Sequence, residues 1–394
     1  MKKTKSRLQK LKKIARKVHL FLGLVTGAIV FILAITGACW AFQEEIRDWS
    51  ADYKIVEAQD QAMLDATTIK QLAQEVFPDK AIHGAVFGKA TDAIEVIFYE
   101  SEPEFYQKVY LNPYTGKVLH TEDHLSGFLA FVLRGHKTLW LPKSIGSVLV
   151  SYGTFLFIMV LISGFMLWWP KNKKHLKQSI RFAWTARTSL KKKIFNLHTV
   201  IGFYVSFFAL IIAFTGCIVG LNWFYFIVFK ATGGSKAPQF IVPNNNSTSL
   251  AATDSLIPLN QLIPTIKKDI PNYESLELHY PEDDSSSVYV EVSYTKGVYY
   301  NSDYRFYDQN TLEELFPNSI YGVYEQADFA DTTIRMAYDT HVGAIFGLFG
   351  KILVFLSSLL IATLPITGTY IWWKRRKDKQ AIPKKKVAQE ATLV

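Results

Sequence analysis

Apolar residues in this chain gather into four long runs, near 20–42, 146–169, 199–229 and 343–373. Each is about the ~20 residues that a helix needs to cross the hydrocarbon of a bilayer. The pattern therefore predicts an α-helical membrane protein with four spanning helices. Between the runs the periodicity changes. ATTIKQLAQEVFP (66–78) has the helical period and stops at a proline. AIEVIFYE (93–100) and FYQKVYLNP (105–113) alternate as strands do, and NPYTGKVLH (112–120) reads as a turn into a third strand. After a polar linker, GGSKAPQFIVPNNNSTS (233–249), the plan recurs. A helix is expected over 255–271, then strands at 276–281, 287–295 and 302–315. The Tyr-rich stretch 289–307 is expected to be half-buried strand.

One phrase occurs twice. It reads His19…Gly23…Thr36-Gly37 in the first half and His198…Gly202…Thr215-Gly216 in the second. The other two apolar runs begin after His136 and His341 and end in matching words, SGFMLWWPK (163–171) and TGTYIWWKR (367–375). The chain reads as a tandem duplication of helix, soluble α+β insert, helix, with one histidine at the start of each helix. The expected organisation is a basic arm (1–17), helix (18–43), insert (44–135), helix (136–170) and basic loop (171–195). A helix (196–229), a second insert (230–340), a helix (341–373) and a tail (374–394) complete it.

Charge then orients these helices. Residues 1–17, 171–193 and 374–386 hold 26 of the 44 Lys and Arg and one acid, Asp378. By the positive-inside rule both termini and the middle loop are cytoplasmic, and both inserts lie on the outer face of the membrane. The net charge of +10 is thus segregated beside the bilayer and does not signal nucleic acid. The first helix is expected to stay uncleaved. Cys39 and Cys217 form no CxxC motif and read as packing residues.

That topology sorts the histidines by leaflet. His19 and His198 fall near the cytoplasmic edge, His136 and His341 near the outer edge. Paired imidazoles from facing helices are what a bis-His haem needs, so two haem b groups are expected. Haem propionates want cations, and Arg16 and Lys17, Lys193, Arg134 and Arg335 stand beside the four histidines in sequence. The small Thr/Ser-Gly steps leave room for a macrocycle or a neighbouring helix. A metal without porphyrin is disfavoured, because no carboxylate lies at i+3 or i+4 of these histidines. His83, His120, His124, His175 and His279 have no partner pattern and read as solvated or structural, with His124 left open as an outer ligand. There is no HExxH, GxSxG, P-loop or Rossmann fingerprint. A reductant must come from a cytoplasmic partner or a quinol.

Six stretches carry a resemblance to a known family: 17–27, 112–119, 134–146, 163–170, 196–204 and 340–373. Together they resemble the bacterial PepSY-associated transmembrane family over nearly the whole chain. The resemblance implies PepSY-like inserts. It also implies kinship with inner-membrane di-haem reductases that release iron from ferric siderophores at the periplasmic face. The same four histidines match the family's ligands. Two other readings stand beside it: an electron carrier for another oxidoreductase, and a non-enzymatic anchored module that binds or regulates a protein partner such as a peptidase.

Overall fold

The computed structural model describes residues 2–170, 172–182, 184–246, 256–281 and 283–391, so the last three residues of the 233–249 linker fall outside the described chain. In order, the first half contains α1 (Lys2–Trp40), α2 (Gln43–Asp48), α3 (Ala66–Val76), β1 (Ile82–Phe87), β2 (Ile94–Ser101), β3 (Glu104–Leu111), β4 (Val118–Asp123), α4 (Gly127–Thr138) and α5 (Lys143–Trp168). The second contains α6 (Lys173–Ser179), α7 (Leu190–Gly220), α8 (Asn222–Ala231), α9 (Leu256–Asp269), β5 (Ser275–His279), β6 (Val288–Ser293), β7 (Asp303–Tyr307), β8 (Glu314–Leu315), α10 (Phe329–Val342) and α11 (Gly347–Ala391). They divide into a helical unit (1–41, 132–222 and 340–394) and a sheet unit (42–131 and 223–339).

Four helical stretches in the first unit are long and apolar enough to cross a membrane: Gln9–Trp40, Lys143–Trp168, Leu190–Gly220 and Ala344–Asp378. α1 packs on α5 and α11, and α7 packs on the same two. Their shared core is built from Val30, Ala34, Leu161, Val205, Ala209, Ile361 and Ala362. Small and β-branched residues suit helices that meet in lipid, where close backbone approach replaces the hydrophobic drive. Large apolar side chains such as Phe21, Phe207 and Phe349 stay exposed, as a membrane protein's lipid-facing surface requires.

Two expectations about these helices need correction. The apolar run 199–229 is not one helix: α7 stops at Gly220, Leu221 is extended, and α8 begins afresh. A Cβ on Gly220 would stand 2.9 Å from Ser151 Oγ, so the glycine that weakens the helix there also lets α5 approach. Nor do His136 and His341 begin spanning helices. Each sits near the end of a short preceding helix, α4 or α10. Left-handed Leu139 and Trp140, followed by Pro142, break the chain before α5, and left-handed Gly343 breaks it before α11.

In the sheet unit the two inserts do not form two sheets. They share one eight-stranded sheet of order β4-β3-β2-β1-β5-β6-β7-β8, in which every neighbouring pair is antiparallel. α3 and α9 cover one face, and Asn260 Oδ1 ties them by accepting from Thr67 N at 3.0 Å and Thr67 Oγ1 at 2.7 Å. Beneath them a single core runs through both halves, from Ile69, Val96, Phe98 and Val109 to Leu262, Leu276, Val290 and Val292. Phe98 is fully buried in that core. Phe98→Ala is expected to cost about 3–5 kcal/mol, the usual price of an aromatic-sized cavity, read as a lower unfolding midpoint of the purified protein. The opposite face carries charged and aromatic side chains, among them Glu95, Tyr106, Lys108, Glu277, Tyr289 and Glu291.

Candidate functional site

Within the helical unit the four histidines meet two by two. The rings of His19 and His198 have centroids 6.3 Å apart with planes at 77°. Those of His136 and His341 are 6.1 Å apart at 61°. His19 lies seventeen residues before Thr36, and His198 lies seventeen before Thr215. At ~1.5 Å per helical residue the two pairs are about 26 Å apart along the bundle.

Each ring rests in the same cradle, a hydroxyl followed by glycine on a facing helix. His19 Nδ1 is 3.0 Å from the Val160 carbonyl and 3.3 Å from Ser163 Oγ. His136 Nδ1 is 3.1 Å from Thr36 Oγ1, and His198 Nδ1 is 2.8 Å from Thr367 Oγ1. His341 Nδ1 is 2.9 Å from the Ile212 carbonyl and 3.2 Å from Thr215 Oγ1. The next residue is always glycine. A Cβ there would stand 3.0 Å from His19 Cε1 at Gly164, 3.1 Å from His136 Cε1 at Gly37, 3.4 Å from His198 Cε1 at Gly368 and 3.0 Å from His341 Cε1 at Gly216. The Thr/Ser-Gly steps thus make room for the imidazoles themselves.

The cradle also sets the tautomer. Every one of the four hydroxyls donates to a carbonyl of its own helix: Thr36 to Ile32, Ser163 to Val160, Thr215 to Ile211 and Thr367 to Thr363, at 2.7–2.9 Å. With its proton committed, the oxygen is left to accept. Facing a hydroxyl acceptor, and at His19 and His341 a carbonyl as well, Nδ1 must carry the ring proton. Nε2 is then unprotonated and is the nitrogen free to ligate.

These features fit a haem. Two imidazoles bound to one metal at about 2.0 Å, each with about 1.1 Å from nitrogen to ring centre, have centroids about 6 Å apart. Both pairs satisfy that. One turn beyond each ligand on α1 and α7, a Cβ on Gly23 or Gly202 would meet nothing nearer than 4.0 or 3.8 Å. Of the cations expected to face propionates, Arg16, Lys17 and Arg134 are exposed and Lys193 is half-exposed. Arg335 is placed differently, and that expectation is corrected. It is buried in the sheet unit, donates to the Ser302 and Gly322 carbonyls, and lies 5.4 and 5.3 Å from the Tyr304 and Tyr324 rings.

The remaining histidines are not part of either pair. His120 stacks on Tyr53 with centroids 4.0 Å apart. His124 lies on Tyr106 and beside Glu122, with Nε2 3.4 Å from its carboxylate. Arg47 donates to the same carboxylate at 2.6 Å, and Tyr110 Oη does so at 3.0 Å. Burial raises the Glu122 pKa, but His124, Arg47 and Tyr110 together hold it well below the usual carboxylate range. A depressed carboxylate adds stability above its unfolded pKa and loses it as pH falls. Glu122→Gln is therefore expected to cost about 1–3 kcal/mol at neutral pH, with the gap from wild type closing below about pH 4.5. Thermal unfolding of both proteins across that range checks it. Sequence reasoning missed the hydroxyl's role as proton acceptor, although the recurrence of Thr/Ser before each glycine marked it. It also missed that His83 and His279 come together with Glu277.

Comparison with known proteins gives one family. The model of the PepSY-associated TM region matches residues 16–375, which is most of the chain. No curated protein matches it.

Proposed function

The chain belongs to the PepSY-associated TM family, and from that premise we propose that it is a di-haem membrane reductase of the inner membrane. Its electrons come from a cytoplasmic donor or quinol and go to a periplasmic acceptor, ferric siderophore before others. One observation carries the reading: four histidines, in two facing pairs, lie in four copies of one cradle that engages Nδ1 and leaves Nε2 as the other ring nitrogen. A packing or headgroup-level histidine has no need of a fixed tautomer, whereas a metal ligand does.

His19 and His198 would hold one haem, and His136 and His341 would hold the other. Bound so, haem iron supplies one-electron transfer at a potential set by its ligands and surroundings. The chain supplies the rest. Ser163, Thr36, Thr367 and Thr215 accept the Nδ1 protons and keep each imidazole in its ligating orientation. α1 and α7 each carry a ligand and, seventeen residues further on near the helix end, a cradle hydroxyl for the other pair, so the same two helices set both sites. At the acceptor, one electron converts Fe(III) to Fe(II) while the donor is oxidised by one. Siderophore oxygen donors hold hard Fe(III) firmly and Fe(II) weakly, so reduction releases the metal. The segregated Lys and Arg support cytoplasmic termini and a periplasmic sheet. The sheet order, which reads outward from β1 and β5 in both directions, supports an origin by duplication.

The test is a reduced-minus-oxidised absorption spectrum of the purified protein in detergent, with haem quantified per chain. Sharp α-bands and about two haems per chain are expected. A colourless protein from haem-replete cells overturns the reading and leaves the anchored partner-binding module.

A further inference from the structure

The sheet unit holds a second histidine cluster that the redox reading does not use. His83 on β1 and Glu277 and His279 on β5 bring one ligand atom each to within 4.8 Å of one another. A strand irregularity makes this possible. β1 and β5 pair with Ala85 opposite Leu278 and Phe87 opposite Leu276, and all four side chains belong to the core. Strict alternation back from Ala85 would send His83 to that core face as well. The register shift between Ile82 and Gly84 against β2 inserts one residue. Ile82 then packs on the core, and His83 turns to the face that carries Glu277 and His279.

The cluster is held as ligands are held. His279 is 6 % exposed and stacked on Tyr289 at 4.0 Å and 10°. Its Nε2 is 3.2 Å from Glu277 Oε1. Two ligands about 2.1 Å from one ion, at angles between square and tetrahedral, lie about 3.0–3.4 Å apart, so this pair is already spaced for a shared ion. The His83 ring meets His279 edge-on at 4.8 Å and is exposed to solvent, which gives an ion a way in. Gly84 keeps the space open. A Cβ there would stand 2.9 Å from the Leu278 carbonyl and 3.3 Å from His279 Nδ1. Finally, Glu291 on β6 lies directly opposite Glu277 in the register. Two carboxylates facing across a strand pair repel, and a bound cation relieves that repulsion.

We propose that His83, Glu277 and His279 form a binding site for a first-row divalent metal ion, with the remaining coordination positions open. Two imidazoles and one carboxylate select zinc, ferrous iron or cobalt over calcium or magnesium, which prefer all-oxygen sites. The site does not depend on haem in the helical unit.

The experiment uses the full, tag-free protein in detergent, stripped with chelator. Co2+ is added and followed by visible absorption, and Zn2+ by calorimetry. One ion per chain is expected in wild type. His83→Ala and His279→Ala are each expected to weaken it by more than about 100-fold, beyond the 10–100-fold that an outer-shell partner costs. The absorption of the helical unit should not change in either variant. His83 is exposed, so His83→Ala tests the site even if the buried His279→Ala misfolds. No ion in wild type, or the same stoichiometry and affinity in His83→Ala, overturns the proposal.

Discussion

On the proposed di-haem reading, His19→Ala should halve the haem per chain, from two to one, and His198→Ala should do the same. The two variants should be no worse combined than alone, because their rings face each other 6.3 Å apart and serve one site. Such strong non-additivity is the mark of groups that act as a unit. His19→Ala with His341→Ala should instead leave none, since those residues belong to different pairs. Acceptor reduction should fall by at least about 100-fold in either single variant, as expected when a ligand that must be present is removed. Haem extracted and quantified against protein decides the pairing. If His19→Ala with His198→Ala loses both haems while folding normally, the pairing by facing rings is wrong.

Gly146→Ala is expected to be nearly as damaging without touching a ligand. A Cβ at Gly146 would lie 2.0 Å from the Thr138 carbonyl oxygen and 2.7 Å from two more backbone atoms of that residue. No side-chain rotation relieves a collision with backbone. The turn between α4 and α5 must open, and His136 lies two residues before Thr138. Gly350 repeats the arrangement: its Cβ would stand 2.1 Å from the Gly343 carbonyl oxygen, and His341 lies two residues before Gly343. Each alanine is expected to cost about 3 kcal/mol or more, at the upper end for overpacking. Gly322→Ala meets nothing within 4 Å and serves as the control, with a change within about 0.5 kcal/mol. The signature is selective loss at the His136/His341 pair while the His19/His198 pair keeps its spectrum. Equal loss at both pairs would mean that the turns support the whole bundle instead.

Much of this was legible because bilayer hydropathy is a strong and local signal. Four apolar runs became four candidate spans, and the four repeated histidines became two facing pairs. The breaks were harder to read. Leu139 and Trp140 have nothing in their side chains to announce a left-handed backbone, and the apolar run through Leu221 conceals the end of α7. What accompanies those turns are close approaches at glycines: Gly135 to Trp140, Gly146 to Thr138 and Gly220 to Ser151. β1 also escaped. Its IHGAVF sequence holds a bulge at His83-Gly84, which disrupts the alternation by which strands are recognised. The joining of two inserts into one sheet depends on pairing between residues nearly two hundred positions apart, and no window of sequence holds that information. Arg335 was placed by proximity in sequence to His341, but its guanidinium is claimed by carbonyls and tyrosine rings of the sheet unit.

The central seam between β1 and β5 has a consequence for biosynthesis. When the ribosome has completed the first half, β1 is an unpaired edge. Its partner is still roughly 190 residues away, a delay of about ten to forty seconds at ordinary translation rates. Through that interval the nascent chain offers an open row of amides and carbonyls, of the kind that recruits any passing strand. Two ribosomes on one message would carry identical open edges, able to meet antiparallel about a twofold axis. Dense ribosome loading on the message should therefore favour exchanged dimers, and so should slower elongation, which prolongs the open interval, whereas sparse loading should suppress them.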